Sequence, residues 1–187
     1  PAATAWTQVS ASFTTPAMGT SSVVDGALCL HVANNGVLPR SVRLARRDMW
    51  IIMGHTYTLR YKMRSSVPTK VLARIGTAAT ASALTPAPDA EFWRDMHEAG
   101  PEPKTFQGSF RMIYADVDGV EVAFEFGGPD LGGQGGRPFD VCLEDIVLDD
   151  PRLVPETRDD GPPIPAVLVS QTGYLPSLPK FAALRTP

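Results

Sequence analysis

Glu121 and Glu125 stand four residues apart in the run Val120-Glu121-Val122-Ala123-Phe124-Glu125-Phe126, where apolar and other positions alternate. Such alternation is the pattern of a half-buried strand. Both carboxylates, with Ala123 between them, therefore project from the face opposite the apolar set. Two carboxylates in one site are the equipment of acid–base hydrolysis, but four strand residues separate these by roughly 13 Å. That exceeds the ~6.5–9.5 Å of an inverting glycosidase pair and the ~5–5.5 Å of a retaining one. As hydrogen-bond acceptors they face no such limit. Arg74, in the run Val71 to Ile75, is placed to pair with Glu125 or to donate to a ligand. His31, His55 and His97 have no partners at metal-ligand spacing and read as solvated or packed histidines. No nucleophile elbow, phosphate loop or zinc pattern occurs.

Period-two patterns dominate the elements that must carry these groups. They run through Ala27–Val32, Tyr57–Arg64, Val71–Ile75, Ser109–Tyr114, Val120–Phe126 and Val141–Leu148. Asn34-Asn35-Gly36 and Asp118-Gly119 read as hairpin turns. The 187 residues include 16 Gly and 18 Pro, well above the ~12% of average usage, which disfavours a helix bundle. An apolar content of 43% supports a core. Repeated short strands with turn signals predict an all-β sandwich or jelly roll of two packed antiparallel sheets. Thr77–Thr105 reads as a long loop of the functional or mobile kind, and any helix is confined to Ala90–Ala99. Trp50 is expected to pack in the core.

A net charge of −3 without a basic block argues against nucleic acid and anionic membranes as partners. No apolar run approaches the ~18 residues of a membrane span. Cys29 and Cys142, 113 positions apart, are either two buried thiols or one disulfide of a secreted domain. The chain opens at Pro1 without a charged-then-apolar leader, so any signal peptide is expected to be already removed. Composition changes near Asp149: residues 150–165 are rich in proline and acidic groups and read as an extended linker. Ala166–Pro187 is too short for a domain and reads as the first piece of one.

Three segments together resemble a known family. Gly26-Ala27-Leu28-Cys29-Leu30-His31-Val32, Gly54-His55-Thr56-Tyr57-Thr58-Leu59-Arg60-Tyr61, and Ala123-Phe124-Glu125-Phe126-Gly127-Gly128 with Val141-Cys142-Leu143-Glu144-Asp145-Ile146 match in order family 4 carbohydrate-binding modules. The match spans residues 6–150. It implies a β-jelly roll that binds single β-1,4-glucan chains in a groove, with Cys29 and Cys142 joined. The tail, Val167-Leu168-Val169-Ser170-Gln171-Thr172-Gly173-Tyr174-Leu175-Pro176 followed by Pro179–Leu184, resembles the start of the immunoglobulin-like domain that precedes the catalytic domain of family 9 cellulases. Together they imply a module at 1–149, a linker at 150–165 and an incomplete immunoglobulin-like segment at 166–187. The implied protein is secreted and extracellular, and its catalytic domain lies elsewhere in the parent chain.

The resemblance also implies site residues. A glycan groove needs aromatic faces for pyranose rings and planar polar groups for their hydroxyls. Glu121 and Glu125 stand where the family usually has glutamines, with Ala123 and Arg74 on the same face. Arg47 and Ala45 match groove positions on another strand. Phe92 or Trp93 matches an edge aromatic. Trp6 matches an N-terminal tryptophan, and Val9 stands where a groove aromatic is usual. A structural calcium would use Glu144, in place of an Asp, and backbone near Gly26. A structural docking module that has lost its groove is the competing expectation.

Overall fold

The computed structural model describes residues 6–10, 18–77, 91–133, 137–153, 167–168 and 183–184. Its alternating runs are strands of two antiparallel sheets. Strands are numbered in chain order. Sheet A has the order β1 (Thr7–Ser10), β4 (Val42–Ile51), β9 (Val117–Glu125), β6 (Thr69–Thr77), β10 (Gly132–Gly133), and β7 (Glu91–Ala99) also pairs with β6. Sheet B has the order β2 (Met18–Val24), β3 (Ala27–Asn34), β11 (Phe139–Asp149), β5 (Thr56–Ser65), β8 (Lys104–Arg111). These strands belong to a unit spanning Pro1–Arg152. A second unit, Leu153–Pro187, pairs β12 (Val167–Leu168) with β13 (Ala183–Leu184). The rest of the tail, and most of the 150–165 segment, lie outside the described residues.

One face of each sheet is apolar, and the two apolar faces form the core. Leu28, Leu30 and Val32 of β3 and Leu59, Tyr61 and Met63 of β5 meet Val42 and Leu44 of β4, Val71, Ala73 and Ile75 of β6, and Val122 and Phe124 of β9. Phe124 lies edge-on to Tyr61 at 4.7 Å and tilted against Trp6 at 5.7 Å. The buried Tyr61 hydroxyl meets Nδ1 of His97 at 2.6 Å, and that ring stacks on Phe106. Burial pushes the Tyr61 phenol well above its ordinary value.

Cys29 and Cys142 are disulfide-bonded. They are directly opposed in the β3–β11 ladder, with Cα atoms 4.0 Å apart, and lie on the outer face of sheet B beside Ala27.

Several expectations are corrected. Glu91–Ala99 is a strand, so the excursion from Thr77 to Thr105 contains β7 and ends inside β8. No α-helix occurs among the described residues. Asn34-Asn35-Gly36 carries the chain from sheet B to sheet A rather than round a hairpin, through a single 3-10 turn at Pro39–Ser41. Asp118-Gly119 lies inside β9. The tight hairpin instead joins β2 to β3 through Asp25 and Gly26, with φ of 51° and 81°. Two successive positive φ values mark the mirror-image turn whose twist fits a hairpin, and Asp-Gly is its common sequence. Ser109–Tyr114 leaves the sheet after Arg111, because β8 runs Lys104–Arg111 in register with Met63–Thr56 of β5. Trp50 is 65% exposed rather than in the core.

The sandwich holds the chain as far as Arg152. His55 Nδ1 and Asp150 Oδ2 are 2.8 Å apart, and the Arg152 N–H donates to Asp150 Oδ1 at 3.0 Å. Burial pushes the Asp150 carboxyl up. The bonds from His55 and the Arg152 backbone outweigh that and leave it below its ordinary value.

Candidate functional site

The outer face of sheet A collects the polar residues singled out above. In register, Ala45 of β4, Ala123 of β9 and Arg74 of β6 form one cross-strand row, and Arg43, Glu125 and Leu72 the next. The small Ala123 opposite Arg74 leaves its guanidinium room to reach diagonally to the carboxylates on either side. Nη2 of Arg74 donates to Glu121 Oε1 at 2.8 Å, and Nε to Glu125 Oε1 at 3.3 Å. Arg43 Nη1 donates to the same Glu121 oxygen at 2.9 Å, and Arg47 Nε to Glu121 Oε2 at 2.9 Å. Glu121 thus ties β4, β9 and β6 together, with both oxygens engaged.

This cluster is buried: Glu121 and Ala123 are shut from solvent, Arg43 and Arg74 nearly so, and Glu125 is 5% exposed. The face opposite the apolar set, which a half-buried strand would leave open, is here closed. At this depth charges lose hydration worth several kcal/mol each, which mutual pairing must offset. Burial lowers the Arg43 guanidinium from its ordinary value against the pull of Glu121 and Glu125. Burial raises the Glu125 carboxyl despite Arg74, Arg40 and Arg43. Nη1 of Arg74 is buried and meets no acceptor.

The aromatic candidates go elsewhere. Trp93 lies opposite Ile75 in the β6–β7 ladder and packs against the core. Its ring covers Gly108 of β8, where any Cβ would collide with it. It therefore closes the seam between the two sheets. Phe92 also packs on the core, 6.0 Å from the Tyr114 ring. Trp6 rests against the core on Phe124. The Val9 side chain lies outside the described atoms. On the outer face the sequence reading missed Arg43 and misplaced Trp50. Arg43 was legible as the odd position between Val42 and Leu44. Trp50 was not, because a β-bulge sets its direction.

Gly26 and Glu144 do line one shallow pocket, with Asp25 and Asp145. Glu144, however, turns to Arg64 at 3.7 Å and Asp145 to Lys62 at 3.0 Å. Among the described residues no three His, Cys, Asp or Glu side chains converge. Calcium takes six to eight oxygens, and the two carboxylates that turn to Lys62 and Arg64 do not fit it.

No family model matches the sequence. Cellulose 1,4-β-cellobiosidase of Acetivibrio thermocellus is 32% identical over 162 residues, which is 84% of this chain and 17% of that protein. The chain thus spans under a fifth of that relative. A solved structure described as family 4 carbohydrate-binding module structure and function superposes with a TM-score of 0.62 at 23% identity, covering 79% of this chain and 95% of that one. The N-terminal cellulose-binding domain of Cellulomonas fimi β-1,4-glucanase C gives 0.55 at 24% identity, covering 78% and 88%. The fold is that of the family 4 carbohydrate-binding modules.

Proposed function

We propose that the chain is a non-catalytic module that binds β-1,4-linked glucan chains, as in amorphous cellulose, cello-oligosaccharides or mixed-linkage glucan. We further propose that it is secreted and serves an attached family 9 cellulase, whose immunoglobulin-like domain begins at 166. The observation that carries the reading is the stripe of guanidinium and carboxylate groups on the non-core face of sheet A. At its centre Arg74 Nη1 is a buried donor without an acceptor. That donor is closed from solvent, and the stripe opens to a ligand at the half-exposed Arg47 guanidinium. Catalysis by the stripe is disfavoured, because Glu121 has both oxygens committed and Glu125 faces Arg74. The fold and the cellobiosidase relative support the polysaccharide class.

The closed state of Glu121 and Ala123 favours one competing reading, a docking module that no longer binds glycan. Native electrophoresis through gels containing soluble β-1,4-glucan separates the two. The binding module is retarded relative to a polysaccharide-free gel and releases no reducing ends. Unchanged mobility in cellulosic, mixed-linkage and xylan gels would overturn the proposal.

A further inference from the structure

We infer that the bulge in β4 builds a glycan contact, with Trp50 as ring platform and Arg47 as hydroxyl donor, at an end of the sheet-A outer face that is open to solvent. The inference rests on the glycan-binding reading above and places the contact outside the closed ion cluster.

Register locates the device. Arg46 pairs with Val122 and Met49 with Val120, so β4 advances three residues against two on β9. The extra residue is a bulge, and within it Asp48 has φ of 63°, a left-handed conformation uncommon in a residue with a side chain. In a regular strand residues three apart point to opposite faces. The inserted residue reverses that parity. Arg47 is on the outer face, since it bonds Glu121. After the bulge Met49 and Ile51 turn to the core, so Trp50 projects outward on the same side as Arg47. The bulge thus brings an aromatic ring and a guanidinium to one face within about 10 Å along the strand.

Both groups are available and one is pre-oriented. Trp50 is 65% exposed, so its ring has found no packing partner sufficient to cover it. Arg47 has a side chain 39% exposed. Its Nε is fixed by a carboxylate that is itself fully buried and held by Arg43 and Arg74. That bond orients the guanidinium plane, and its Nη groups meet no partner among the described residues. A planar pair of donors spans neighbouring hydroxyls on one sugar. An indole face accepts the C–H face of a pyranose. A β-linked glucan, with equatorial hydroxyls at its rim and apolar ring faces, offers both at once. Glu121 is then a positioning residue, acting through Arg47.

Trp50→Ala and Arg47→Lys leave net charge unchanged, so their mobilities in β-glucan gels compare directly with the wild type. We expect Trp50→Ala to weaken retardation at least tenfold with an unchanged melting temperature. Arg47→Lys keeps the charge at Glu121, loses the paired Nη donors, and should weaken retardation several-fold. Val23→Ser, an exposed neutral change on sheet B, should leave it intact. As a second readout, cellohexaose should shift the tryptophan fluorescence of the wild type but not of Trp50→Phe. Wild-type retardation with Trp50→Ala retarded equally would overturn this inference and leave the glycan-binding reading standing. Absence of retardation in the wild type would overturn both.

Discussion

The two outer faces of the sandwich fasten their strands by different means. On sheet B a covalent bond joins directly opposed residues of β3 and β11, and the charges around it stand in water as pairs: Lys62 with Asp145 and Arg64 with Glu144. On sheet A an ion cluster around Glu121 spans β4, β9 and β6, and apart from Arg47 almost none of it touches solvent. The same residue types are therefore ornament on one face and structure on the other. Burial makes the difference. A buried carboxylate without its cations has lost hydration and gained nothing, whereas an exposed one is rehydrated when its partner is removed.

The largest effect should come from the covalent staple. The disulfide closes a sequence separation of 113 residues, and on the chain-entropy account its loss costs about 4–5 kcal/mol. Urea unfolding of Cys29→Ser/Cys142→Ser, or of the wild type in reductant, should show that drop in midpoint. An unmoved midpoint would mean that sheet B does not depend on its staple. Next comes the ion cluster. Glu121→Ala removes the buried acceptor that Arg43, Arg47 and Arg74 share and should cost about 3–5 kcal/mol in the same measurement. A loss below ~1 kcal/mol would show instead that the cluster is hydrated in solution, which is also what an open groove requires.

The assignment of residues to faces was legible in the sequence, and the depth of each face was not. Alternation alone put Glu121, Ala123, Glu125 and Arg74 on one side and Val120, Val122, Phe124 and Phe126 on the other, because the side-chain period of a strand is two. Whether the polar side meets water depends on the partners brought to it, and no local pattern carries that. Glu91–Ala99 shows a second limit: Glu91-Phe92-Trp93-Arg94-Asp95-Met96-His97 mixes charge and aromatic residues, as an edge strand does, and lacks the alternation that reveals central ones. Trp50 shows a third. A single inserted residue inverts every later side chain, and Asp48, unlike a glycine, does not advertise the positive φ that permits the insertion.

Two carboxylates should give opposite pH dependences. Glu125, raised by burial, binds its proton more tightly in the folded state. Its contribution to stability should therefore decline as pH rises from about its ordinary 4.5 through the folded value. Asp150 is held below its ordinary 3.8. Its contribution should be complete above that value and fade as pH falls through the lower, folded one. Urea midpoints between pH 2.5 and 7 should show the Glu125 slope flattened in Glu125→Gln and the acid-side slope flattened in Asp150→Asn. Identical slopes in both variants and the wild type would mean that neither group is held differently on folding.

The smallest effect is expected at Asp145, and it separates two accounts of the outer face of sheet B. Asp145 has φ of 50° and faces Lys62 across 3.0 Å, raising that ammonium through the hydrogen bond. Asn tolerates the left-handed backbone as well as Asp does, so Asp145→Asn removes the charge and leaves the geometry. Both partners stand in solvent, where salt at ~0.15 M screens beyond about 8 Å and hydration replaces a lost pair. The melting temperature should therefore not move, with or without EDTA. Were a divalent cation held in the pocket shared by Asp25, Glu144 and Asp145, the variant and the chelator would each lower the melting temperature, and their effects together would not exceed either alone. That result would make the acidic pocket a second buried-charge site and erase the contrast between the two faces. An unmoved melting temperature in all four combinations would keep it, with sheet B held by its disulfide and core and sheet A by the cluster on Glu121.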